Sequence, residues 1–427
     1  MKLIKTTFLS GIITFAKLIS GFISNKIAAI IIGPNGLALM GIFSNFISIT
    51  FTFSNGGINN GVVRFVAENE SDEGKLRGII GTAYTISVYC SLFIGALICI
   101  FSSLISELIF NNFSHKNIII IFGFSIILYS LNSLIISIIN GKKDILKYTY
   151  INVIGSGLGI IITSILVYYF KSTGALYALF LSQCLIFFIT ILLVRKSNWI
   201  EYFSIKQTFS VFWFKKLARY SIMSIITAVV IPLSQMIIRD YIISKHSLET
   251  AGIWQGMTRI SENYLMIITT SLSVYYLPKL ASIKSNFEIA HEIRKIYKLI
   301  IPFLLLSCYV LYIFRIEVIS ILYADSFYKM SELFFFQLLG DVFKICAWVL
   351  SYIMLAKSMI KMYIITEVLF GIIYSALSIY LISIFGLKGS VLSFSICYLI
   401  YFIVLLILFR KIIFPGIHIT NQKSHGK

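Results

Sequence analysis

The sequence is short of charge, of proline and of grouped metal ligands. Only 12% of its 427 residues are Asp, Glu, Lys or Arg, about half the share of roughly 25% in a soluble domain. With 58% hydrophobic residues the chain has too little polar surface to cover an apolar interior, which excludes a water-soluble globule. Five prolines and 26 glycines exclude a collagen-like or low-complexity chain. The five histidines form neither HExxH nor any clustered spacing, so a zinc enzyme is excluded. The six cysteines, Cys90, Cys99, Cys184, Cys308, Cys346 and Cys397, lie inside apolar runs without a CxxC pair. They read as small buried hydrophobes, neither a disulfide framework nor a metal site. No GxxxxGK[ST] occurs, which argues against direct use of ATP. No cofactor and no metal are expected.

What is present is a series of apolar runs long enough to span a bilayer, which needs about 20 residues as a helix. Twelve are read, at 6–32, 37–66, 79–108, 117–140, 147–170, 174–194, 217–243, 251–278, 296–314, 331–356, 361–384 and 388–412. The fold expected is an all-α membrane protein. The first run is too long for a cleaved signal and becomes the first span. Gly33-Pro34-Asn35-Gly36 and Lys171-Ser172-Thr173 leave barely a turn between neighbouring runs, so the helices they join are antiparallel neighbours.

The longest connection, 195–216, mixes Arg195, Lys196, Lys206, Lys215 and Lys216 with Trp199 and Trp213. It reads as an amphipathic segment at the cytoplasmic interface. It divides the chain into an N-terminal six-helix bundle (1–194), this linker, a C-terminal six-helix bundle (217–413) and a tail (414–427).

The net charge of +19 would suggest nucleic acid in a soluble protein. Here it reflects topology, because Lys and Arg collect in cytoplasmic loops, and no nucleic-acid partner is expected. With the N-terminus inside, the basic residues from Lys2 and Lys5 to Lys423 and Lys427 fall mostly on the cytoplasmic side. The opposite face keeps Lys116, Lys171, Arg239, Lys245, Arg315, Lys329 and Lys388. Both termini are therefore expected in the cytoplasm.

Four cations, Lys17, Lys26, Arg259 and Lys344, and three acids, Glu262, Asp341 and Glu367, fall inside spans. Each charge at the bilayer centre costs roughly 2.5–3.5 kcal/mol on insertion scales, so such residues face water, pair with one another, or serve a function. Arg259 and Glu262 are three apart and share a helix face, with Gln255 one turn earlier. Gln337, Asp341 and Lys344 repeat the pattern on span ten. Each set is either a lumen stripe or a self-neutralising structural pair. On span one, Ser10, Thr14, Lys17, Gly21 and Ser24 form a small polar stripe suited to a cavity wall, and Lys26 lies opposite, where it would snorkel. Arg64 either snorkels or guards a cavity mouth. Glu367 either titrates or pairs at the interface with Lys361.

Span two is interrupted by Asn55-Gly56-Gly57-Ile58-Asn59-Asn60-Gly61, a composition that opposes a regular helix. Broken helices at membrane depth are tolerated where they line a cavity, which makes Asn55 and Asn59 candidate lining residues beside Gln255 and Gln337. A packing kink is the other reading. Pro232 and Pro302 mark further kinks.

Several stretches carry a family resemblance. They are Ala251-Gly252-Ile253-Trp254-Gln255-Gly256, Arg259-Ile260-Ser261-Glu262-Asn263-Tyr264, Tyr275-Tyr276-Leu277-Pro278-Lys279-Leu280, Gln337-Leu338-Leu339-Gly340-Asp341-Val342-Phe343-Lys344, Ala356-Lys357 and Gly33-Pro34-Asn35-Gly36-Leu37. Over nearly its whole length the chain resembles the Wzx-type flippases of O-antigen and enterobacterial common antigen, within the multidrug/oligosaccharidyl-lipid/polysaccharide exporter superfamily. One position departs, Glu262 standing where the pattern has Asp, which keeps the charge and changes its reach.

The resemblance implies two six-helix bundles around a central cavity, a MATE-like arrangement working by alternating access in the bacterial inner membrane. The implied cargo is an oligosaccharide on undecaprenyl pyrophosphate, moved from the cytoplasmic to the periplasmic leaflet. The implied partners are that lipid, the surrounding membrane lipids, and a polymerase and chain-length regulator of the same pathway. Richness in Ile, Lys and Asn favours an O-antigen unit. Lys17, Arg64, Arg259 and Lys344 are then candidates for the pyrophosphate, and Glu262, Asp341 and Glu367 for coupling. An ion-coupled multidrug exporter of the same superfamily is the alternative, although the span cations outnumber the acids. An enzyme is not expected, since the outer loops are short.

Overall fold

The computed structural model describes residues 2–110, 112–203, 209–283, 285–357 and 359–413, with the backbone alone for residues 2–8 and Val274. Lys206, Lys284 and the tail 414–427, with Lys423 and Lys427, lie outside the described residues. The described chain is helical, with α1 (Lys2–Ser54), α2 (Asn59–Glu68), α3 (Glu73–Ile100), α4 (Ser102–Phe110), α5 (Lys116–Gly141), α6 (Ile145–Val194) and α7 (Val211–Lys245). After these come α8 (Leu248–Ser271), α9 (Leu277–Ser282), α10 (Asn286–Ile313), α11 (Arg315–Leu322), α12 (Phe334–Ala356), α13 (Ile360–Phe385), α14 (Leu387–Leu408) and α15 (Arg410–Ile413).

Nine of the described helices are long and apolar enough to cross a membrane. Two of them are double. Helix α1 breaks at Gly33, whose φ of 61° belongs to the left-handed region open to glycine, and Pro34 restarts the helix in its first turn. Helix α6 breaks at Lys171, with φ 50° and ψ −128°. Helix α8, 24 residues long, carries Arg259 and Glu262 and does not register as apolar. Counting it and the two halves of α1 and α6, every expected span coincides with a helix or half-helix.

Three local features refine the expected spans. The polar heptapeptide does break span two: α1 stops at Ser54, Gly56 and Gly57 both take φ 64°, and α2 restarts at Asn59. Pro232 and Pro302 sit within α7 and α10, which continue through both. Span eight, expected at 251–278, passes through a π turn at Leu272–Tyr276. Pro278 follows at the start of α9; lacking an N–H, it cannot continue the hydrogen-bond ladder across that turn.

The chain forms two compact units. The first holds the chain up to Asn263 together with Ile316–Ser331; the second holds Tyr264–Arg315 and the chain from Glu332 onward. This boundary falls within α8. The 195–216 connection is part of the first unit: Trp199 and Trp213 are each 7% exposed and pack into a core with Ile79, Ile80, Leu134 and Ile138. Ser210 N–H donates to Thr82 Oγ1 at 2.9 Å. The tryptophans thus face the protein, while Lys215 and Lys216 remain exposed.

A second core of the first unit is aromatic. Phe43 packs edge-on against Phe122 and Phe180, with centroids 5.7 and 6.3 Å away. Within lipid no hydrophobic drive remains between helices, so interdigitation of this kind holds them together. Small residues supply the close approaches. A Cβ at Gly252 would strike the carbonyl of Pro34, so α8 lies directly on the turn that divides α1.

Candidate functional site

In the first unit the candidate residues gather on α1, α7 and α8. Arg259 Nη1 lies 3.7 Å from Glu262 Oε2, with the two side chains 30% and 42% exposed, and Arg259 Nη2 donates to Ser44 Oγ at 3.2 Å. A tight charge-assisted pair closes to about 2.7–2.9 Å. At 3.7 Å Glu262 tempers the guanidinium without occupying it, and donor capacity is left for an anion. Lys17 is exposed on α1, and the polar stripe it belongs to approaches α8, where a Cβ at Gly21 would lie 3.5 Å from Asn263 Oδ1. Arg64, half-exposed on α2, pairs with Glu68 at 2.6 Å and donates to the Tyr220 hydroxyl.

Gln255 does not join Arg259. It is 5% exposed, and its Oε1 accepts from Nη2 of Arg239. Arg239, which the charge bias assigns to the side opposite the termini, is 1% exposed within α7, its guanidinium 5.3 Å from the Trp254 ring. The signal was there in Ile237-Ile238-Arg239, a cation inside an apolar run. Gly41 makes room, since a Cβ there would run into both Gln255 and Arg239.

Lys26 also differs from expectation. It donates to the carbonyls of Ser320, at 2.7 Å, and of Tyr323. These are the free carbonyls at the end of α11, where a cation also meets the negative end of the helix dipole. It is therefore a cap and not a snorkelling side chain. Tyr323, 2% exposed, in turn donates its hydroxyl to the Gly256 carbonyl at 3.0 Å.

The asparagines serve the break in span two. Asn55 is 4% exposed and its Oδ1 accepts from the Gly57 N–H at 2.9 Å, an Asx turn that supports the two left-handed glycines. Asn59 donates to Ser133 Oγ on α5 at 2.6 Å. Asn55 thus follows the packing reading and not the lining one.

In the second unit the acids are buried. Asp341, 0% exposed, accepts from the Tyr264 hydroxyl at 2.7 Å and from Gln337 Nε2 at 3.3 Å. Gln337 is itself 3% exposed. Glu367, 9% exposed, accepts from the Tyr401 hydroxyl at 3.5 Å and makes no ion pair with Lys361 among the described residues, so the interfacial-pair reading is set aside.

Lys344 is half-buried and rests over aromatic rings, 5.1 Å from Trp348, 5.7 Å from Phe394 and 5.8 Å from Tyr398. Cation–π contacts stabilise by about 0.5–1 kcal/mol at exposed sites and ~2 kcal/mol when desolvated, comparable with the insertion cost of a charge. Rings, unlike a carboxylate, leave the net charge in place.

The accessible candidates are thus mainly cationic, whereas Asp341 and Glu367 are enclosed by hydroxyl and amide donors. Among the described residues no group of three or more His, Cys, Asp or Glu comes together that could hold a metal.

This helical architecture is that of the MATE transporters. An inward-facing multidrug resistance MATE family transporter of the MOP superfamily matches with a TM-score of 0.76 at 16% identity, over 93% of this chain and 94% of that one. A MATE transporter in a straight conformation matches at 0.67 and 16%, over 96% and 95%. A family model for polysaccharide biosynthesis proteins covers residues 7–332, and the chain belongs to that family. It is also 26% identical to the lipid III flippases of Escherichia coli K12 and Shigella flexneri, over 94% of this chain and 97% of theirs. The Wzx-type resemblance carried by the span-eight and span-ten motifs thus extends along nearly the whole length of this multi-pass membrane protein.

Proposed function

We propose that the protein flips an undecaprenyl-pyrophosphate-linked oligosaccharide, such as an O-antigen unit, from the cytoplasmic to the periplasmic leaflet of the bacterial inner membrane. The observation that carries this reading is the sorting of charge by exposure. Lys17, Arg64, Arg259 and Lys344 keep accessible surface, while Asp341 and Glu367 are buried. A passage for a cationic drug would need the reverse sorting, and Glu262, the accessible member of the three candidate acids, stands beside Arg259. The full-length likeness to lipid III flippases supports the same cargo class.

In this reading the six-helix halves 1–194 and 217–413 alternate in access, joined by 195–216, with both termini and the tail 414–427 in the cytoplasm. The diphosphate is what lipid rejects most strongly. Arg259 would meet it with a bidentate fork and Lys17 and Lys344 as point charges, with Arg64 at the entrance, while the prenyl tail stays in lipid. Loose pairing favours turnover, since a cargo bound too tightly would not leave. Outward movement of an anion follows the inside-negative potential, about 2.3 kcal/mol per charge per 100 mV. A polymerase and chain-length regulator would take up the product.

The test is to complement a deletion strain with Arg259→Ala or Lys344→Ala. Surface polysaccharide should be lost and the lipid-linked oligosaccharide should accumulate, read by mass spectrometry, at unchanged protein level. Normal surface polysaccharide in both variants would overturn the reading.

A further inference from the structure

We propose that Lys344, Trp348, Phe394 and Tyr398 form a composite subsite in which the rings receive the sugar next to the diphosphate while Lys344 holds the diphosphate itself. The proposal rests on the flippase reading and adds to it a residue, Trp348, that selects for the glycan.

The geometry comes from helix spacing. Gly340, Lys344 and Trp348 succeed one another at intervals of four on α12 and so share one face. Phe394 and Tyr398 stand in the same relation on α14, their rings 4.8 Å apart and inclined at 68°. Helix α14 comes close because position 340 has no side chain: a Cβ there would run into the Phe394 ring. Phe394 therefore lies on the α12 backbone one turn from Lys344, and Trp348 bounds the other side. Three rings surround one ammonium.

Two features of this cluster point to a ligand. First, Trp348, Phe394 and Lys344 are all partly exposed, so these two rings are not filled core, while Tyr398, 6% exposed, backs them. Second, Lys344 takes part in no ion pair among the described residues, in contrast to Arg259 beside Glu262. A cation resting on π faces keeps its full charge and can exchange those faces for phosphate oxygens. When it swings toward an anion, the faces it leaves are flat and apolar, with the ammonium beside them. That surface suits the axial C–H face of a hexose, as mostly apolar sites with a few placed polar groups do for small ligands. The ammonium is thus both a placeholder for the sugar ring and the receptor for the neighbouring phosphate. Free inorganic phosphate could engage only the second role.

The experiment uses the full chain purified into nanodiscs and measures binding of two probes, a short polyprenyl diphosphate without sugar and the same lipid carrying one N-acetylhexosamine. Trp348→Ala should weaken binding of the glycosylated probe by about tenfold while the sugar-free probe stays within about twofold. Trp348→Phe should restore glycan binding to within about threefold of wild type. Lys344→Ala should weaken both probes alike. Retained binding of the sugar-free probe shows that each Trp348 variant is folded, and Phe394→Leu repeats the test from α14.

Equal loss of both probes in Trp348→Ala would mean that the ring only positions Lys344, and would overturn the subsite. So would unchanged glycan binding in both Trp348→Ala and Phe394→Leu. If the wild-type protein binds neither probe, the flippase reading falls as well, which separates the two failures.

Discussion

The Tyr264 hydroxyl, near the end of α8, donates to Oδ2 of Asp341 on α12 across 2.7 Å. The two residues are 77 positions apart in the chain, and the bond ties a fully buried carboxyl to a phenol. Removing one partner from a buried hydrogen bond leaves the other desolvated, at a cost of about 1–3 kcal/mol. Tyr264→Phe should lower the thermal stability of the detergent-purified protein by that order, and Asp341→Asn, which still accepts, should cost less. An unshifted midpoint for Tyr264→Phe would show the contact to be incidental.

Arg239 is a cation that the structure encloses almost completely, at 1% exposure. Its guanidinium is held by Gln255 Oε1 and the Trp254 face. Arg239→Lys cannot restore the planar fork, so both Arg239→Ala and Arg239→Lys should destabilise the protein, the former by about 1–3 kcal/mol through the buried Gln255 amide it leaves unpaired. Thermal unfolding of the two variants, with Gln255→Leu as a companion, tests this. Wild-type stability in Arg239→Ala would contradict it.

Lys26 should act as a C-cap. Lys26→Met removes the donor from the Ser320 and Tyr323 carbonyls, with an expected loss of about 1–2 kcal/mol. The loss should be local. A cysteine introduced at exposed Ile321 should label faster with a membrane-impermeant maleimide in the Lys26→Met background. Equal labelling rates in both backgrounds would argue against a cap.

Gly252 should tolerate no side chain. Its Cβ direction is filled by the Pro34 backbone, which cannot rotate aside as a side chain can. Gly252→Ala should cost about 1–3 kcal/mol through overpacking, whereas Gly11→Ala, with nothing within 4 Å of the added atom, should be near neutral. The pair can be ranked by thermal unfolding in one detergent, and equal stability would refute the assignment.

The spans were legible because a membrane imposes a length and a polarity on each helix, and Gly33-Pro34 and the 55–61 heptapeptide announce their breaks by composition alone. Side-chain partnerships were less so. Spacing of three or four states which residues share a face of one helix, and it correctly grouped Gln337 with Asp341. It cannot state what stands opposite. Spacing thus left Asp341 and Lys344 open as a pair or as a lumen stripe, when a tyrosine from another helix bonds the acid and the lysine rests on rings. Lys26 was read as snorkelling for a related reason: near a helix end, a cation that snorkels and one that is captured by a neighbouring helix have the same local sequence.

The excursion of Ile316–Ser331 has a practical consequence. This stretch lies between α10 and α12 in the chain, yet it folds with the first unit, where Tyr323, Phe327 and Met330 cover Gly256. A gene divided after codon 263 would encode a first fragment stripped of its own covering, with Lys26 and the Gly256 carbonyl left without their hydrogen-bonding partners. Co-expressed halves should therefore be unstable singly and regain stability only when the second supplies that short insert.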